Sequence, residues 1–443
     1  MTSNTDTYPA PDALTHPIFF DEAVSSHFTT SAVLDAMIRV ELALARVQAE
    51  LGIIPGEAAE AIQSAGRTVK FPDALIAEGV AKSGVPVPVL VDCVRQEAGE
   101  RGGGFVHLGA TSQDIIDTAF GLCYRDALEI INTRLGQLLD RLEALSSEYA
   151  ETVMMARTRG QLATPITLGL RIAQWAQPLV ALENELGQVR KRTLKVQFGG
   201  ASGSRSALGG NGKKVSDALA EVLQLEPAPP WHTDRSGVRQ LAAWLEQMTC
   251  ALAKIGKDTS LSARGEIAEI SAGPGGGSSA MPHKHNPVVA EFLQSIQLLA
   301  QALGAGLSAS SVQSEDRDGV AWPLEWHLMP QLLSATAAAL NHALVLLADF
   351  RPDMQAMKER VLSNPEAMAE TAVAALSEHM SRQEAAERVK AALRADEGFV
   401  DAVLRNAPSP ITRDRLFDLH RYLEPAKEVS EQIFASRTQS NCG

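Results

Sequence analysis

The segment of this 443-residue chain richest in residues able to do chemistry runs Gly273-Pro274-Gly275-Gly276-Gly277-Ser278-Ser279-Ala280-Met281-Pro282-His283-Lys284-His285-Asn286-Pro287. It lies between two helical patterns and therefore reads as a loop. Its glycines give it freedom, and its later prolines stiffen the second half. Such a loop can swing Ser278 over a substrate and close water out. Lys284 and Asn286 stand just before a helix expected to start near Val288. A helix N-terminus with a Lys and an amide beside it suits a carboxylate. His107 is a candidate acid, base or orienting donor, since histidine is the side chain whose unperturbed titration lies near working pH. Arg317, after Glu315-Asp316, reads as a carboxylate clamp or a surface ion-pair member. Arg235 and Arg159 leave the same two readings open.

Several other patterns fail on inspection. Gly209-Gly210-Asn211-Gly212-Lys213-Lys214 lacks the Gly and the Ser or Thr of a Walker loop, having Ala207 and Lys214 there. His283-x-His285 has no nearby carboxylate or Cys to complete a metal site, so no metal is expected. Asp396-Glu397 and Glu315-Asp316 lack calcium-loop spacing. The four cysteines, Cys93, Cys123, Cys250 and Cys442, form no C-x-x-C pair and read as reduced thiols of a cytoplasmic protein. A net charge of −13 argues against nucleic acid or anionic membrane as the main partner, while leaving room for a local basic pocket. The first basic residue is Arg39, so the positive region of a secretory signal is not expected. No apolar run approaches the roughly 18 residues of a membrane span.

The elements that must position these residues are helical in pattern. Hydrophobic residues make up 45%, charged residues 21% and aromatics only 5%, with Ala and Leu dominating long stretches. Strands favour β-branched and aromatic residues, so this composition leans to helix. Leu135, Leu138, Leu139, Leu142 and Leu145 recur at spacings of three and four within a segment from Ile115 to Ala156. Similar faces run over 166–196, 241–262, 288–311 and 331–350. Five long amphipathic segments predict a helical bundle, and their many small Ala positions predict association between chains. Pro55, Pro72, Pro86 and Pro88 break the first hundred residues into shorter pieces. After Arg351-Pro352 the chain restarts, with Pro365 at a helix start and Ser381-x-x-Glu384 as a capping box. Pro408 and Pro410 interrupt it before a last helix near 413–422. Cuts near 108 and 351 predict an N-terminal helical domain (1–108), a central long-helix domain (109–350) and a C-terminal helical domain (351–443).

The Gly-rich loop matches the signature G-S-S-x-M-P-x-K-x-N-P of the fumarase/aspartase superfamily at every fixed position. Val106-His107-Leu108-Gly109-Ala110-Thr111-Ser112-Gln113-Asp114 resembles the first shared region of that family, and Arg157 to Gly169 resembles the second. Gln197 to Ser204, Pro230-Trp231-His232-Thr233-Asp234-Arg235, and Glu315-Asp316-Arg317 followed by Trp322-x-x-Glu325-Trp326 are similar to its bacterial 3-carboxy-cis,cis-muconate cycloisomerase branch. Adenylosuccinate lyases carry a His where this chain has Arg159. Some cycloisomerases carry a His where it has Leu162.

The resemblance implies an all-α, three-domain fold whose central bundle of five long helices joins three others in a twenty-helix tetramer core. It implies active sites shared between subunits. The implied reaction is cycloisomerisation of a tricarboxylate, 3-carboxy-cis,cis-muconate, to 4-carboxymuconolactone, without a cofactor. Such chemistry moves a proton at a carbon alpha to a carboxylate, and fixed donors must hold the charge that builds on the carboxylate oxygens. The resemblance gives proton transfer to Ser278, with His107 and Lys284 as further catalytic residues. Thr111, Ser112, Gln161, Asn286, Arg235 and Arg317 fall to substrate binding. The same family contains fumarate-releasing lyases and non-enzymatic lens proteins. Intact Ser278, Lys284 and Asn286 speak against the last.

Overall fold

A computed structural model describes residues 12–405, 407 and 411–437. Pro408, Pro410 and Cys442 lie outside the described residues. The chain is mostly helical, and five long helices dominate it: Ser112–Glu148, Leu168–Thr193, Ser236–Ser262, Val288–Ala309 and Trp322–Ala348. The leucine face holds as expected, with Leu135, Leu138, Leu139 and Leu142 fully buried. Side chains three and four residues apart lie on one side of a helix, so this spacing places all four leucines in the core together.

The end of the first long segment and the start of the second are not helical. Residues Val153–Thr158 and Gln161–Thr167 pair as an antiparallel hairpin. Arg159 and Gly160 form its two-residue turn with φ of +54° and +80°. Positive φ at both central positions is the turn that matches strand twist, and glycine takes it freely. Val153, Thr164, Ile166 and Thr167 supply the β-branched residues that favour strands.

The shorter helices follow their start signals. Thr30–Glu50 is capped by Thr29, whose hydroxyl accepts from the Ala32 amide at 3.1 Å. Gly56–Thr68 and Asp73–Ser83 begin directly after Pro55 and Pro72. Ser381 caps Arg382–Ala392 by accepting from the Glu384 amide at 3.2 Å, while the Glu384 carboxylate turns to Arg388. Only half of the expected capping box forms. The last helix also differs from expectation: a single turn, Arg413–Leu416, stops, and a longer helix, His420–Ala435, follows. Asp418 makes the break, since its carboxylate accepts from the His420 amide at 2.9 Å and competes with the helical ladder.

By internal contacts the chain divides into two compact units. One comprises residues up to Arg134, with Glu185–Cys250 and Ser295–Asn341; the other comprises Leu135–Asn184, Ala251–Gln294 and the chain from His342. Each long helix contributes residues to both. In the first unit Thr30–Glu50 packs on Gly56–Thr68 and on Gly212–Leu223. In the second, Ala372, Leu376, Val389, Phe399, Val403 and Leu416 close a separate apolar cluster.

Two helices, Val288–Ala309 and Trp322–Ala348, are long and apolar enough to cross a membrane by length and composition. This corrects the expectation that no apolar run approaches that length: Gln294, Gln297 and Gln301 interrupt the stretch, yet its average stays apolar. Within the chain 67% of the second helix's apolar stretch is buried but only 33% of the first's, and Leu298 of the first is left exposed.

Candidate active site

In the first unit the site residues gather around the start of the Ser112–Glu148 helix. Asp114, 1% exposed, is the anchor: its carboxylate accepts from the backbone amides of Thr111 (3.0 Å), Gly199 (2.8 Å) and Gly200 (2.8 Å), and from the Gln197 side-chain amide (3.1 Å). Four donors on one buried carboxylate satisfy the charge and fix the Gly199–Gly203 loop beside Thr111 and Ser112. Gly199 leaves no room for a side chain, because a Cβ there would lie 2.5 Å from the His232 ring. His232 Nε2 stands 3.3 Å from Asp114 without hydrogen-bond alignment.

Arg317 reaches the same loop and donates to the Ala201 carbonyl at 3.1 Å. Its Nε is buried without a hydrogen-bond partner. The turn carrying Arg317 is set by Asp318, whose carboxylate accepts from the amides of Ser314, Val320 and Ala321. Those backbone donors, Ala321 and Val320 foremost, hold the Asp318 pKa down at about 2. The loop thus links Thr111, Ser112 and Arg317.

His107 is held in the left-handed region, φ +65°, three residues before Ala110, whose amide donates to its carbonyl. Its Nδ1 lies 2.6 Å from Glu41 Oε1, and Glu41 is 2% exposed with its other oxygen buried and unpartnered. A carboxylate on Nδ1 orients the ring and leaves Nε2 outside that contact. Glu41 was not legible as a site residue. The one trace of it is a carboxylate standing among Val40, Ala43 and Leu44 on the buried face of its helix.

Arg235 corrects an expectation. It is 4% exposed, and all three guanidinium nitrogens are engaged, with Asp117 at 2.8 and 3.2 Å and with Glu325 at 3.0 Å and closer. The Trp231 ring covers it at 4.7 Å. Burial alone would lower its pKa, but Asp117 and Glu325 outweigh that and raise it. A guanidinium whose every nitrogen is tied to one of two buried carboxylates, and which is itself out of solvent, is held away from substrate, so Arg235 is a structural ion-pair centre.

In the second unit the signature loop closes on itself. The Asn286 amide donates to the Gly276 carbonyl at 2.9 Å, Gly277 bridges His285, and the Lys284 amide donates to the Met281 carbonyl. Ser278 Oγ accepts from the Met281 amide at 3.1 Å. Gly276 has φ +74°, and a Cβ there would lie 2.0 Å from the Asn286 carbonyl oxygen. One loop therefore carries Ser278, Lys284 and Asn286, and the helix begins at Val288 as expected. Lys284 is exposed and, with His283, His285 and Arg351, lines an open cavity of about 1060 Å³. Gln161 is exposed at the first position of the second hairpin strand, paired with Thr158. The hairpin itself is pinned by Arg157, which grips the buried Glu269 through two bonds of 2.8 Å. Among the described residues, no group of three or more His, Cys, Asp or Glu is placed to hold a metal ion.

Comparison with known proteins decides the family. The family described as lyase (Lyase_1), of the fumarate lyase superfamily, matches residues 21–304. The chain belongs to the fumarate lyase superfamily. Its similarity to other members extends over nearly the whole length. It is 35% identical to the 3-carboxy-cis,cis-muconate cycloisomerase of Acinetobacter baylyi over 387 residues, covering 85% of this chain and 86% of that one. It is 35% identical to the Pseudomonas aeruginosa protein of the same name over 432 residues, covering 92% and 93%. Among solved structures, the 3-carboxy-cis,cis-muconate lactonizing enzyme of Pseudomonas putida superposes with a TM-score of 0.86 at 32% identity, covering 96% of this chain and 99% of that one. For a fumarate lyase superfamily member, the all-α fold with its signature loop at the start of a long helix is the expected architecture.

Proposed function

We propose that this protein is a 3-carboxy-cis,cis-muconate cycloisomerase, forming 4-carboxymuconolactone in the protocatechuate branch of aromatic catabolism. The observation that carries the reading is the closed signature loop bearing Ser278, Lys284 and Asn286, in a chain similar throughout to cycloisomerases. One substrate carboxylate adds to a double bond, a new C–O bond forms, and a proton arrives at the carbon alpha to another carboxylate. Lys284 and Asn286, at a helix N-terminus, bind that carboxylate and hold the charge that builds on it. Ser278 serves the proton transfer at carbon. His107 assists through Nε2, and Thr111, Ser112, Gln161 and Arg317 supply donors. The groups fall in two units of the fold, and the exposed Leu298 on Val288–Ala309 supports self-association, which we read as a homotetramer with sites shared between subunits; a cytoplasmic location is part of the same proposal.

Mixing the purified protein with 3-carboxy-cis,cis-muconate, with no cofactor added, is expected to remove the conjugated-diene absorbance. Ser278→Ala is expected to lower that rate by about 10²-fold or more, the scale of a lost general acid–base group. An inert muconate together with cleavage of adenylosuccinate would overturn the reading in favour of a fumarate-releasing lyase.

A further inference from the structure

A second basic site lies wholly within the second unit, beside the hairpin. A cavity of about 490 Å³ is walled by Arg157, Gly160, Arg171, Lys254, Asp258 and Arg264 among others. Its charges do not balance. The buried Glu269 serves two cations, Arg157 at 2.8 Å and Arg360 at 2.9 Å. Asp258 likewise serves two, and its oxygens are already taken: Lys254 Nζ lies 2.6 and 2.5 Å from them, and Trp175 Nε1 donates at 2.8 Å. Arg171 is left with Asp258 at 4.0 Å, beyond hydrogen-bond reach, although its side chain is only 17% exposed. Arg264 adds a further cation, facing Glu266 loosely at 3.5 Å.

A mostly buried guanidinium that faces a cavity, with its one carboxylate 4.0 Å away and already engaged by Lys254 and Trp175, is open to a further acceptor. An acidic chain has no general need for such a pocket. We propose that this cavity binds a small anion carrying two or more negative charges, with Arg171 as its anchor and Lys254 and Arg264 at its rim. The chemistry recognised is that of a carboxylate or phosphate oxygen pair meeting the planar fork of an Arg. Burial lowers the Arg171 pKa, Asp258 offsets part of this and Arg157 adds repulsion, so an incoming anion relieves what the protein leaves unmet. The volume admits a compact di- or tricarboxylate as readily as a phosphate group. The site is separate from the signature loop in composition, and its existence does not depend on the reaction proposed above.

The test is titration calorimetry on the full-length Lys284→Ala protein, so that the signature loop no longer anchors a carboxylate. Tricarballylate and inorganic phosphate are titrated in parallel. One saturable site per chain is expected for at least one of them, and the tighter of the two identifies the anion class. Arg171→Gln added to Lys284→Ala is expected to weaken binding by about tenfold or more, the scale of one charge-assisted contact. Should that variant fail to fold by circular dichroism, Arg264→Ala, at an exposed rim position, is the second variant and is expected to weaken binding as well. Absence of saturable binding of both anions overturns the proposal. So does binding that both substitutions leave unchanged.

Discussion

A buried guanidinium is stable only while its acceptors stay in place, and the converse holds for the acceptors. Arg235 sits between Asp117 and Glu325, all three nearly solvent-free. Removing the cation leaves two uncompensated carboxylates in the core. Arg235→Ala is therefore expected to cost about 3–5 kcal/mol of stability, read as a lowered urea midpoint. A loss under about 1 kcal/mol would return Arg235 to the list of substrate anchors. At His107 the expectation concerns rate instead. Glu41→Gln keeps the size but weakens the acceptor on Nδ1, so kcat for the proposed lactonisation is expected to fall about ten- to a hundredfold with little change in KM. An unchanged kcat would show that the Glu41 contact only stabilises the fold. Asp114 belongs at this scale too. Its place in the Thr111-Ser112-x-Asp114 run was visible, but its four donors come from Thr111 and from residues more than eighty positions away, and no local pattern announces them.

Between residue and molecule, the signature loop is the element on which the proposed chemistry turns. Gly276 approaches the Asn286 carbonyl so closely, at φ +74°, that a methyl group in its place cannot be accommodated without moving Asn286. Gly276→Ala is expected to reduce kcat/KM about 10²-fold, since displacement of a binding group by an ångström is worth that much. The unfolding midpoint should move little, because the loop is exposed; a large drop in stability with activity preserved would contradict this. The hairpin teaches a different lesson. Its strands interrupt two segments whose apolar spacing reads as helix, and two features decide against helix: the turn at Arg159-Gly160 and the grip of Arg157 on Glu269. The turn was open to sequence reading through Gly160. The ion pair spans 112 positions and was not.

For the whole molecule the open question is what covers the apolar helix Val288–Ala309. Leu298 is 65% exposed in the single chain. Leaving such a face to water is unfavourable by about 25 cal/mol per Å² of apolar area, and a second copy of the chain is the occupant we propose. The purified protein is expected to sediment as a multiple of 47.3 kDa. Leu298→Glu is expected to shift it towards the monomer and to abolish cycloisomerase activity with it. A monomeric wild type that is fully active would refute the shared-site assembly.

The amino-acid sequence by itself determined the helical class, the five long helices to within a few residues at most ends, and the loop before Val288 that bears Ser278, Lys284 and Asn286. Each of these depends on interactions within a few residues of the chain: the 3.6-residue spacing of Leu and Ala, prolines at helix starts, a glycine beside its own loop's carbonyl. Only the tertiary structure decided which charged residues are free and which are committed. Arg235 directly precedes one long helix and Arg171 stands in the first turn of another, yet one is gripped by two carboxylates and the other lies 4.0 Å from its single one. That difference is set by partners far away in sequence, and Coulomb energies in a buried site depend on those distances rather than on the neighbours along the chain.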